Sequence, residues 1–487
     1  KYSNAIGVVK FANMLSYPCL FQKSVLAKIP SSPLSQTYRA FLPMVARTLP
    51  QNSFCRTFHR NQTSSATSKT DTLIIGGGPV GSSVAYHLAT NSRSNDGRGI
   101  VVVERDPTYS KASATLSAGG IRQQFSLFEN VQMSLYGRDF LRTAHQRLQT
   151  ETNPNVDLQF QEHGYLFLAS TETGVHQMNE NHRVQCRAGC ADIHLLPPTE
   201  LKESFPWMNM SDVLLGSFGS RGEGWFDPWA LLKGLKDKNI EMGVTYIHGE
   251  PIGAKRDPTT GRILSVVVRE AESGQTVKHS VNSVVNGAGA HAEQLMNLLA
   301  GPDLPLKYPL PVKPRKRCIF FFHCSAPTGV PTIAPLTVDS SMVYFRSEGH
   351  PGQGNFLCGV SPRSENDPDC YDIRELENAD HHLFDEVIWP ALFHRVPAFG
   401  EIKVKSSWAG LYDYNTVDHN AIIDFHPEMN NVLMLNGFSG HGLQQSPAAG
   451  RAGAELLDYG RFVTLDLDIF RFDRIQNDEP VLEVGIV

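Results

Sequence analysis

The first seventy residues contain no aspartate and no glutamate, although nine lysines and arginines lie among them. They are also rich in serine and threonine. An acid-poor leader with arginine and serine is typical of an organellar transit peptide. The alternative is a disordered basic arm that binds acidic surfaces. We favour the transit peptide and expect residues 1–70 to lie outside the folded body.

Cysteine is scarce, and its spacing does not suit a metal site. The eight cysteines include no C-x-x-C pair, and neither Cys186 with Cys190 nor Cys318 with Cys324 has histidines at zinc-ligand spacing. We therefore expect no bound metal and reduced, mostly buried thiols. Together with the basic leader, this favours the mitochondrial matrix.

The chain lacks an apolar run of the roughly 18–20 residues that a membrane helix needs. The nearest stretch, residues 73–89, is broken by Gly76, Gly77, Gly78, Pro79 and Gly81. We expect no transmembrane helix, while peripheral association with the inner membrane stays open. With the nine leader residues left out of the 44 basic ones, the rest of the chain has 35 basic and 49 acidic residues. This acidic balance argues against nucleic-acid binding.

A glycine turn between an apolar run and a helix-forming run is the most informative feature that is present. Gly76, Gly78 and Gly81 have the G-x-G-x-x-G spacing. The first makes the tight turn, the second lets backbone approach a pyrophosphate, and the third lets the helix pack on the strand. The helix N-terminus would then face the phosphates. By itself this pattern is weak, because glycine-rich turns are common.

A second apolar run, residues 100–103, ends at Glu104. A carboxylate at this place accepts hydrogen bonds from ribose hydroxyls in a Rossmann unit. The alternative is a solvated residue at the end of a strand. Because Glu104 lies one crossover beyond the glycine turn, we prefer the first interpretation and predict dinucleotide binding.

Three more segments with small residues follow: Leu116–Gln124, Asn286–His291 and Gly437–Gln445. The first would let the chain lie against a planar cofactor, although by itself it reads as a flexible loop. The second ends a predicted strand, where ligands bind in open α/β sheets. The third again has the strand–turn–helix order, so its helix dipole would stabilise negative charge on a reduced ring.

Taken together, these segments resemble the superfamily of D-amino-acid oxidase, sarcosine oxidase and dimethylglycine dehydrogenase. The resemblance extends over nearly all of residues 71–460 and includes residues 224–228 and 408–412. Four segments (314–317, 395–399, 408–416 and 437–445) resemble in particular a mitochondrial branch implicated in assembling respiratory complex I. That resemblance implies complex I subunits or other assembly factors as partners, together with a small amine substrate.

The resemblance implies an α/β fold: a doubly wound, Rossmann-type FAD-binding domain interleaved with an antiparallel-sheet (α+β) substrate domain. We expect the FAD-binding domain at residues 71–150, 225–300 and 405–460, and the substrate domain at 151–224 and 301–404. Residues 461–487 would form a C-terminal tail. Within the second domain, the sequence predicts one long helix over residues 376–395.

The cofactor implied is FAD. The residues expected to hold it lie in the glycine turns, at the second strand and near the loop of residues 116–124. They are Gly76, Gly78, Pro79, Val80, Gly81, Glu104, Arg105, Ser117, Ala118, Gly119, Gly120, Gly287, Gly289, Gly410, Gly437, Ser439, Gly440, His441, Gly442 and Leu443.

At four positions the sequence differs from the catalytic members of the superfamily, and these differences bear on how FAD and substrate are bound. Ser117 stands where dimethylglycine-dehydrogenase-like enzymes attach FAD through histidine, and Leu411 where sarcosine oxidases use cysteine. We therefore expect FAD to be bound non-covalently. Tyr412 replaces an arginine that pairs with the substrate carboxylate in relatives, and Gln444 replaces a lysine. Two carboxylate-binding residues of the family are thus absent.

The remaining candidates for the active site are Arg122, His441 and Lys316, beside Tyr412 and Gln444. Arg122 would bind a carboxylate, or equally form a structural ion pair. His441 is better interpreted as a structural residue facing the flavin than as a general base. Lys316 is a weak candidate for activating oxygen, since most such lysines are merely solvated.

The sequence thus predicts a mitochondrial flavoprotein that supports complex I assembly, with amine oxidation as its expected redox chemistry. Two alternatives stay open: an assembly factor that holds FAD only structurally, and an N-methyl amino acid dehydrogenase unrelated to assembly. An NAD-linked dehydrogenase is disfavoured by the turn at residues 437–442.

Overall fold

The computed structural model describes residues 66–91, 96–325 and 329–484. The predicted leader, apart from its last five residues, lies outside these described residues. The body is built on two large β-sheets and one two-stranded ribbon. The strands are β1 (Ala66–Ile75), β2 (Ile100–Glu104), β3 (Gly120–Ile121), β4 (Tyr165–Ala169), β5 (Ile193–Leu196), β6 (Leu215–Gly219), β7 (Gly224–Trp225), β8 (Thr245–Arg256), β9 (Ile263–Glu270), β10 (Thr276–Asn286), β11 (Val312–Cys324), β12 (Leu336–Val338), β13 (Val343–Ser347), β14 (Asn355–Val360), β15 (Ile402–Asn415), β16 (Ile422–His426) and β17 (Met429–Asn436).

Helices cover both faces of the first sheet and lie beside the second. They are α1 (Pro79–Asn91), α2 (Phe128–Arg142), α3 (Ala144–Arg147), α4 (Glu172–Arg187), α5 (Pro198–Ser204), α6 (Pro228–Glu241), α7 (Ala292–Ala300), α8 (His381–Leu383), α9 (Trp389–Arg395), α10 (Gly442–Tyr459) and α11 (Asp473–Gln476). Within the described residues, no helix combines the length and the apolar character needed to cross a bilayer.

The first sheet has seven strands, and its centre is parallel. β1 pairs in parallel with β2 and β10, β2 with β8, and β10 with β17. β9 lies antiparallel between β8 and β10, and β16 is an antiparallel edge. The central residues Leu73, Ile74, Val102 and Val284 are fully buried, as expected for a sheet covered on both faces. This is the predicted doubly wound domain.

The second sheet has eight strands in the order β15-β11-β14-β13-β12-β4-β6-β5. Its pairs are antiparallel except for β12 with β4. Its core is aromatic and includes Phe320, Phe322, Phe345, Phe356 and Phe399. The predicted fold class is therefore confirmed: a doubly wound domain interleaved with a largely antiparallel one.

Three boundaries differ from the predicted ones. β1 begins at Ala66 and pairs with β10 from there, and the Thr70 hydroxyl lies 3.0 Å from His279 Nδ1, so residues 66–70, which we assigned to the leader, are part of this strand. β15 pairs with β11 along its whole length, which places residues 405–415 in the second sheet. The described part of the C-terminal tail packs on the body: the Glu483 carboxylate accepts a hydrogen bond from the backbone of Ser126 (2.7 Å).

The long helix predicted over residues 376–395 is confirmed over residues 381–395 but not before them. There α8, a π-helical turn (Phe384–Ile388) and α9 follow one another without a break, whereas Ile373–Glu377 form a 3-10 turn. Asp380 starts a new helix, because its carboxylate accepts hydrogen bonds from the backbone of His382 and Leu383. Pro390, in the first turn of α9, cannot donate the backbone bond that would continue an α-helix through it.

Candidate functional site

The three glycines of the turn between β1 and α1 have different surroundings. Gly76 has a φ of +101°, and a β-carbon there would overlap the carbonyl oxygen of Gly287. A β-carbon on Gly81 would overlap the carbonyl oxygen of Gly76, so α1 packs directly on the turn. A β-carbon on Gly78 would meet no atom within 4 Å, because this residue faces a cavity. Gly78 is thus the glycine that leaves room for a ligand.

This cavity has a volume of about 600 Å³ and lies at the carboxyl ends of the parallel strands. Its size is within the range of small-molecule and cofactor sites. Twelve of the residues expected to hold FAD line it: Gly76, Gly78, Pro79, Val80, Glu104, Arg105, Ser117, Gly287, Gly289, Gly440, Gly442 and Leu443.

Glu104 lies at the end of β2 on the wall of this cavity. Its Oε2 accepts a hydrogen bond from the backbone of Gly77 (2.8 Å) and its Oε1 from that of Asp106 (2.9 Å). A carboxylate has about four acceptor sites, so Glu104 can fix the turn and still accept from ribose hydroxyls. Arg105 is held by His291, with 2.6 Å between Nη2 and Nε2. This arrangement fits a dinucleotide, because Gly78 leaves space for the pyrophosphate, the first turn of α1 faces it and the Glu104 carboxylate can accept from the ribose.

A smaller cavity of about 80 Å³ adjoins the first, and Ser117, Leu411, Tyr412, Gly440 and Leu443 line both. Five other residues expected to hold FAD line only the smaller one: Ala118, Gly119, Gly120, Gly410 and His441. Among its walls are also two arginines and three tyrosines: Arg122, Arg317, Tyr165, Tyr344 and Tyr412.

Arg122 is only 4% exposed and is enclosed by aromatic rings. Its guanidinium carbon lies 4.6 Å from the ring centre of Phe125 and 4.9 Å from that of Phe167. Its backbone N–H donates to Oε1 of Gln444 (2.8 Å), so the loop after β3 is tied to the first turn of α10. The structure thus brings Arg122 and Gln444 together on the wall of the smaller cavity.

His441 is buried beside Arg122. Its Nδ1 lies 2.7 Å from the carbonyl oxygen of Phe438, and its Nε2 lies 3.4 Å from Nη2 of Arg122. Burial and the charge of Arg122 lower the pKa of His441 to about 3. The ring therefore stays neutral, donates through Nδ1 and accepts through Nε2, which suits a structural role better than that of a general base.

Arg317 is a functional candidate that the sequence reasoning missed. Its Nη1 and Nη2 donate to the two oxygens of Asp367, at 2.6 and 2.8 Å, and both side chains are buried. Its guanidinium carbon lies 4.8 Å from the ring centre of Tyr412. Burial raises the pKa of Tyr412, while the charges of Arg317 and Arg122 act to lower it. Tyr412 is thus within the field of both arginines.

The sequence holds a signal for Arg317: side chains alternate between the two faces of a strand, so Arg315 and Arg317 of β11 share a face that Lys316 does not. Arg315 and Arg317 stack on Tyr414 and Tyr412. Lys316, between them, instead donates to the backbone oxygen of Asn378 (3.0 Å). Lys316 lines neither cavity, so the structure does not bring this candidate to the site.

Three residues expected to hold FAD support the walls without lining them: Gly81, Gly437 and Ser439. The backbone N–H groups of Gly437 and Phe438 donate to Oδ2 of Asp413, at 3.0 and 3.1 Å. Asp413 lines the larger cavity, and burial raises its pKa to about 6. Ser439 accepts a hydrogen bond from the backbone of Asn415 (3.0 Å). These contacts fix the turn before α10.

The loop at Ser117 is held by its own hydrogen bonds and by Arg346. Ser117 Oγ donates to the carbonyl oxygen of Ala114 (2.7 Å) and accepts from the backbone of Gly119 (3.2 Å). Arg346 Nε donates to the carbonyl oxygen of Ala118 (2.8 Å). Neither Ser117 nor Leu411 offers a covalent attachment point for FAD. In the described part of the chain, no three His, Cys, Asp or Glu side chains are grouped as a metal site.

Comparisons with known proteins agree with this geometry. A family model described as FAD dependent oxidoreductase matches residues 71–456. FAD-dependent oxidoreductase domain-containing protein 1 of Xenopus laevis is 46% identical over 434 residues, which are 86% of this chain and 85% of that protein. Mitochondrial sarcosine dehydrogenase of Homo sapiens is 25% identical over 427 residues, covering 85% of this chain and 42% of its own.

A solved structure has the same fold over most of the chain. The crystal structure of L-proline dehydrogenase from P. horikoshii superposes with a TM-score of 0.70 at 25% identity, covering 85% of this chain and all of that one. The predicted superfamily is thereby confirmed. The chain belongs to the FAD dependent oxidoreductase family typified by D-amino-acid oxidase, and its cofactor is FAD.

Proposed function

We propose that this protein oxidises the C–N bond of a small amine that carries a carboxylate, an amino acid or N-alkyl amino acid. The observation that carries the proposal is the buried Arg122, which lines a small cavity adjoining the dinucleotide cavity. Two similar proteins support it, since they are named for sarcosine and for L-proline. Both of these compounds are secondary amines with one carboxylate.

The residues of the larger cavity would hold FAD. Gly78 and the first turn of α1 would approach the pyrophosphate, and Glu104 would accept from the ribose. Ser117, Tyr412, Gly440 and Leu443, which line both cavities, would lie beside the ring system. When bound, FAD would accept the two electrons that are removed from the substrate carbon next to the amine nitrogen.

The chain's own contribution is binding and orientation. Arg122 would donate two hydrogen bonds to the substrate carboxylate, since a guanidinium matches that geometry. The neutral His441 and the rings of Phe125 and Phe167 hold Arg122 in place. Because Arg122 is almost completely buried, little water surrounds it, which strengthens the charge–charge contact. These side chains would thereby fix which carbon faces the flavin.

The experiment is an anaerobic titration of the FAD-loaded protein with free and N-methyl amino acids, followed by flavin absorbance. Bleaching that saturates with one of these amines is expected. If none of them bleaches the flavin, while dithionite does, the enzymatic proposal is wrong and the structural role of FAD is favoured.

We further propose that the protein resides in the mitochondrial matrix, where it supports assembly of respiratory complex I. The acid-poor leader and the resemblance of four segments to the mitochondrial branch support this. Cells that lack the protein and receive Gly78→Val or Arg122→Lys would separate the roles. If only Gly78→Val fails to restore complex I, bound FAD is needed but turnover is not; if both fail, turnover is needed.

A further inference from the structure

The loop of residues 122–127, between β3 and α2, carries Arg122. The Arg122 guanidinium lies over the ring of Phe125, with 4.6 Å between the guanidinium carbon and the ring centre. The same ring lies edge-on against His441, with 4.9 Å between the two ring centres. Phe125 is fully buried between these side chains. The place of the Arg122 charge therefore depends on where the backbone of Phe125 is held.

A carboxylate from the far end of the chain holds this backbone. Glu483 is 3% exposed. Its Oε1 accepts hydrogen bonds from the backbone N–H and from the hydroxyl of Ser126, each at 2.7 Å. Its Oε2 accepts from the backbone of Leu127 (3.2 Å) and from Nδ2 of Asn130 (2.9 Å). Glu483 is thus bound to the residue that directly follows Phe125.

Glu483 also supplies a helix cap that the local sequence lacks. Leu127 is the N-cap residue of α2, and its side chain makes no cap hydrogen bond. In a capping box, a glutamate in the first turn of the helix accepts a hydrogen bond from the N-cap backbone. That position holds Asn130, which instead donates to Glu483. Because a negative charge at a helix N-terminus is also favoured by the helix dipole, the start of α2 depends on Glu483.

The segment around Glu483 is itself anchored to the body. Residues 481–484, the C-terminal strap, contact the buried Asp418 and Asn420. The Val481 N–H donates to Oδ2 of Asp418 (3.2 Å), and Asn420 Nδ2 donates to the Val481 carbonyl oxygen. The strap therefore has one defined position, from which the Glu483 carboxylate reaches the loop of Arg122.

We propose that the C-terminal strap sets the affinity of the site for a carboxylate, and that Glu483 is a positioning residue that acts through Phe125 on Arg122. The inference rests on the proposed function for the carboxylate that Arg122 binds. Four donors meet the Glu483 side chain, and only a carboxylate has an acceptor oxygen for each pair of them. In Glu483→Gln, an NH2 group would face two of these donors, which should displace the start of α2 together with Phe125 and Arg122.

Acetate, an unreactive carboxylate, is the probe. The FAD-loaded protein is titrated with acetate, and the change in flavin absorbance gives the dissociation constant. Glu483→Gln is expected to raise this constant at least tenfold with FAD content unchanged. A chain that ends at Pro480 is the second variant in case the buried amide prevents folding, since water then reaches the donors, and the same rise is expected. Acetate affinity within threefold of wild type in either folded variant would overturn the inference.

A second buried carboxylate separates this effect from general destabilisation. Glu455 is 1% exposed, accepts from the backbone of Val463 (2.7 Å) and Thr464 (3.0 Å), and lines neither cavity. Glu455→Gln should lower the thermal midpoint but leave acetate affinity within twofold of wild type. If it weakens acetate as much as Glu483→Gln does, the effect is not specific to the strap and the inference fails.

A double-mutant cycle shows whether Glu483 acts through Arg122. Arg122→Lys should itself weaken acetate, and a strap change added to it should then matter less than threefold, because coupled residues are not additive. Independent tenfold losses that multiply in the double variant would contradict the assignment. If Arg122→Lys weakens acetate but the strap changes do not, the inference alone fails. If Arg122→Lys leaves acetate affinity unchanged, Arg122 does not bind the carboxylate, and the proposed function fails together with the inference.

Discussion

The carbonyl oxygen of Gly287 occupies the place that a β-carbon on Gly76 would need. The two residues end adjacent parallel strands, since β1 stops at Ile75 and β10 at Asn286, and the Gly287 N–H donates to the Ile75 oxygen (2.9 Å). Gly76 is therefore required by the packing of the protein itself. Gly78, two residues further along, faces the cavity. A side chain at this position would overlap only a ligand bound in the cavity.

This difference predicts that substitutions at the two glycines affect different properties, stability at Gly76 and FAD binding at Gly78. Gly76→Ala should lower the free energy of unfolding of the FAD-free protein, because it combines a φ of +101° with a backbone overlap. Gly78→Val should leave that free energy nearly unchanged but abolish FAD binding. Urea unfolding and flavin content measure the two effects.

Gly253→Val is the matched control, since a β-carbon there also meets no atom within 4 Å and the residue lines neither cavity. It should retain FAD. Full FAD content in Gly78→Val would show that this glycine does not face the cofactor.

We expect FAD to be released completely by acid or heat, because Ser117 and Leu411 provide no covalent attachment. The measurement is flavin fluorescence of the supernatant and of the precipitated polypeptide after treatment with trichloroacetic acid. Flavin that stays with the polypeptide through denaturing electrophoresis would refute this expectation.

The residues of the larger cavity could be predicted from the sequence better than those of the smaller one. Gly76, Gly78 and Glu104 are found by spacing, because backbone approach to a pyrophosphate imposes a local pattern. Arg317 and Asp413 depend on which strands pair, since β11 meets β15 and β15 meets the turn at Gly437 only in the folded chain. The helix predicted over residues 376–395 begins five residues later than expected for a local reason, because Asp380 caps its first turn.

Glu223 gives a pH-dependent prediction. Its side chain is fully buried and accepts hydrogen bonds from the Gln123 backbone and from Gln124 Nε2. The titratable or charged groups near it are Arg122, Tyr165 and Cys190. Burial raises its pKa from 4.5 to about 7. Because the folded state holds this proton more tightly than the unfolded state, the stabilisation is full below pH 4.5 and is lost as the pH rises to 7.

Relative to Glu223→Gln, the wild-type protein should therefore lose about 2–3 kcal/mol of stability between pH 4.5 and pH 8, from about 1.4 kcal/mol for each pKa unit. Urea unfolding of both proteins across this range measures it. Glu162→Gln is the control of opposite sign and is measured below pH 4.5 as well, because Arg142 lowers the pKa of Glu162, so its contribution is full above pH 4.5 and is lost as the pH falls. A flat difference for Glu223→Gln would contradict the buried, protonated carboxyl.

Arg122→Lys should weaken amine binding without loss of FAD. A charge-assisted bidentate contact contributes about 1.5–3 kcal/mol, so the half-saturating concentration for flavin reduction should rise about 10- to 100-fold. Stopped-flow reduction at several amine concentrations measures this, with flavin content and thermal midpoint as controls. Lys316→Gln, which changes a lysine outside both cavities, should leave the kinetics unchanged.

The most direct test of amine oxidation is an anaerobic single turnover, in which the consumed amine and the carbonyl product are quantified by mass spectrometry beside flavin absorbance. The account predicts that one equivalent of a carboxylate-bearing amine is converted for each FAD reduced, and that Arg122→Lys slows this conversion at low amine concentration. Flavin that remains oxidised with every such amine, with no carbonyl product, would contradict it.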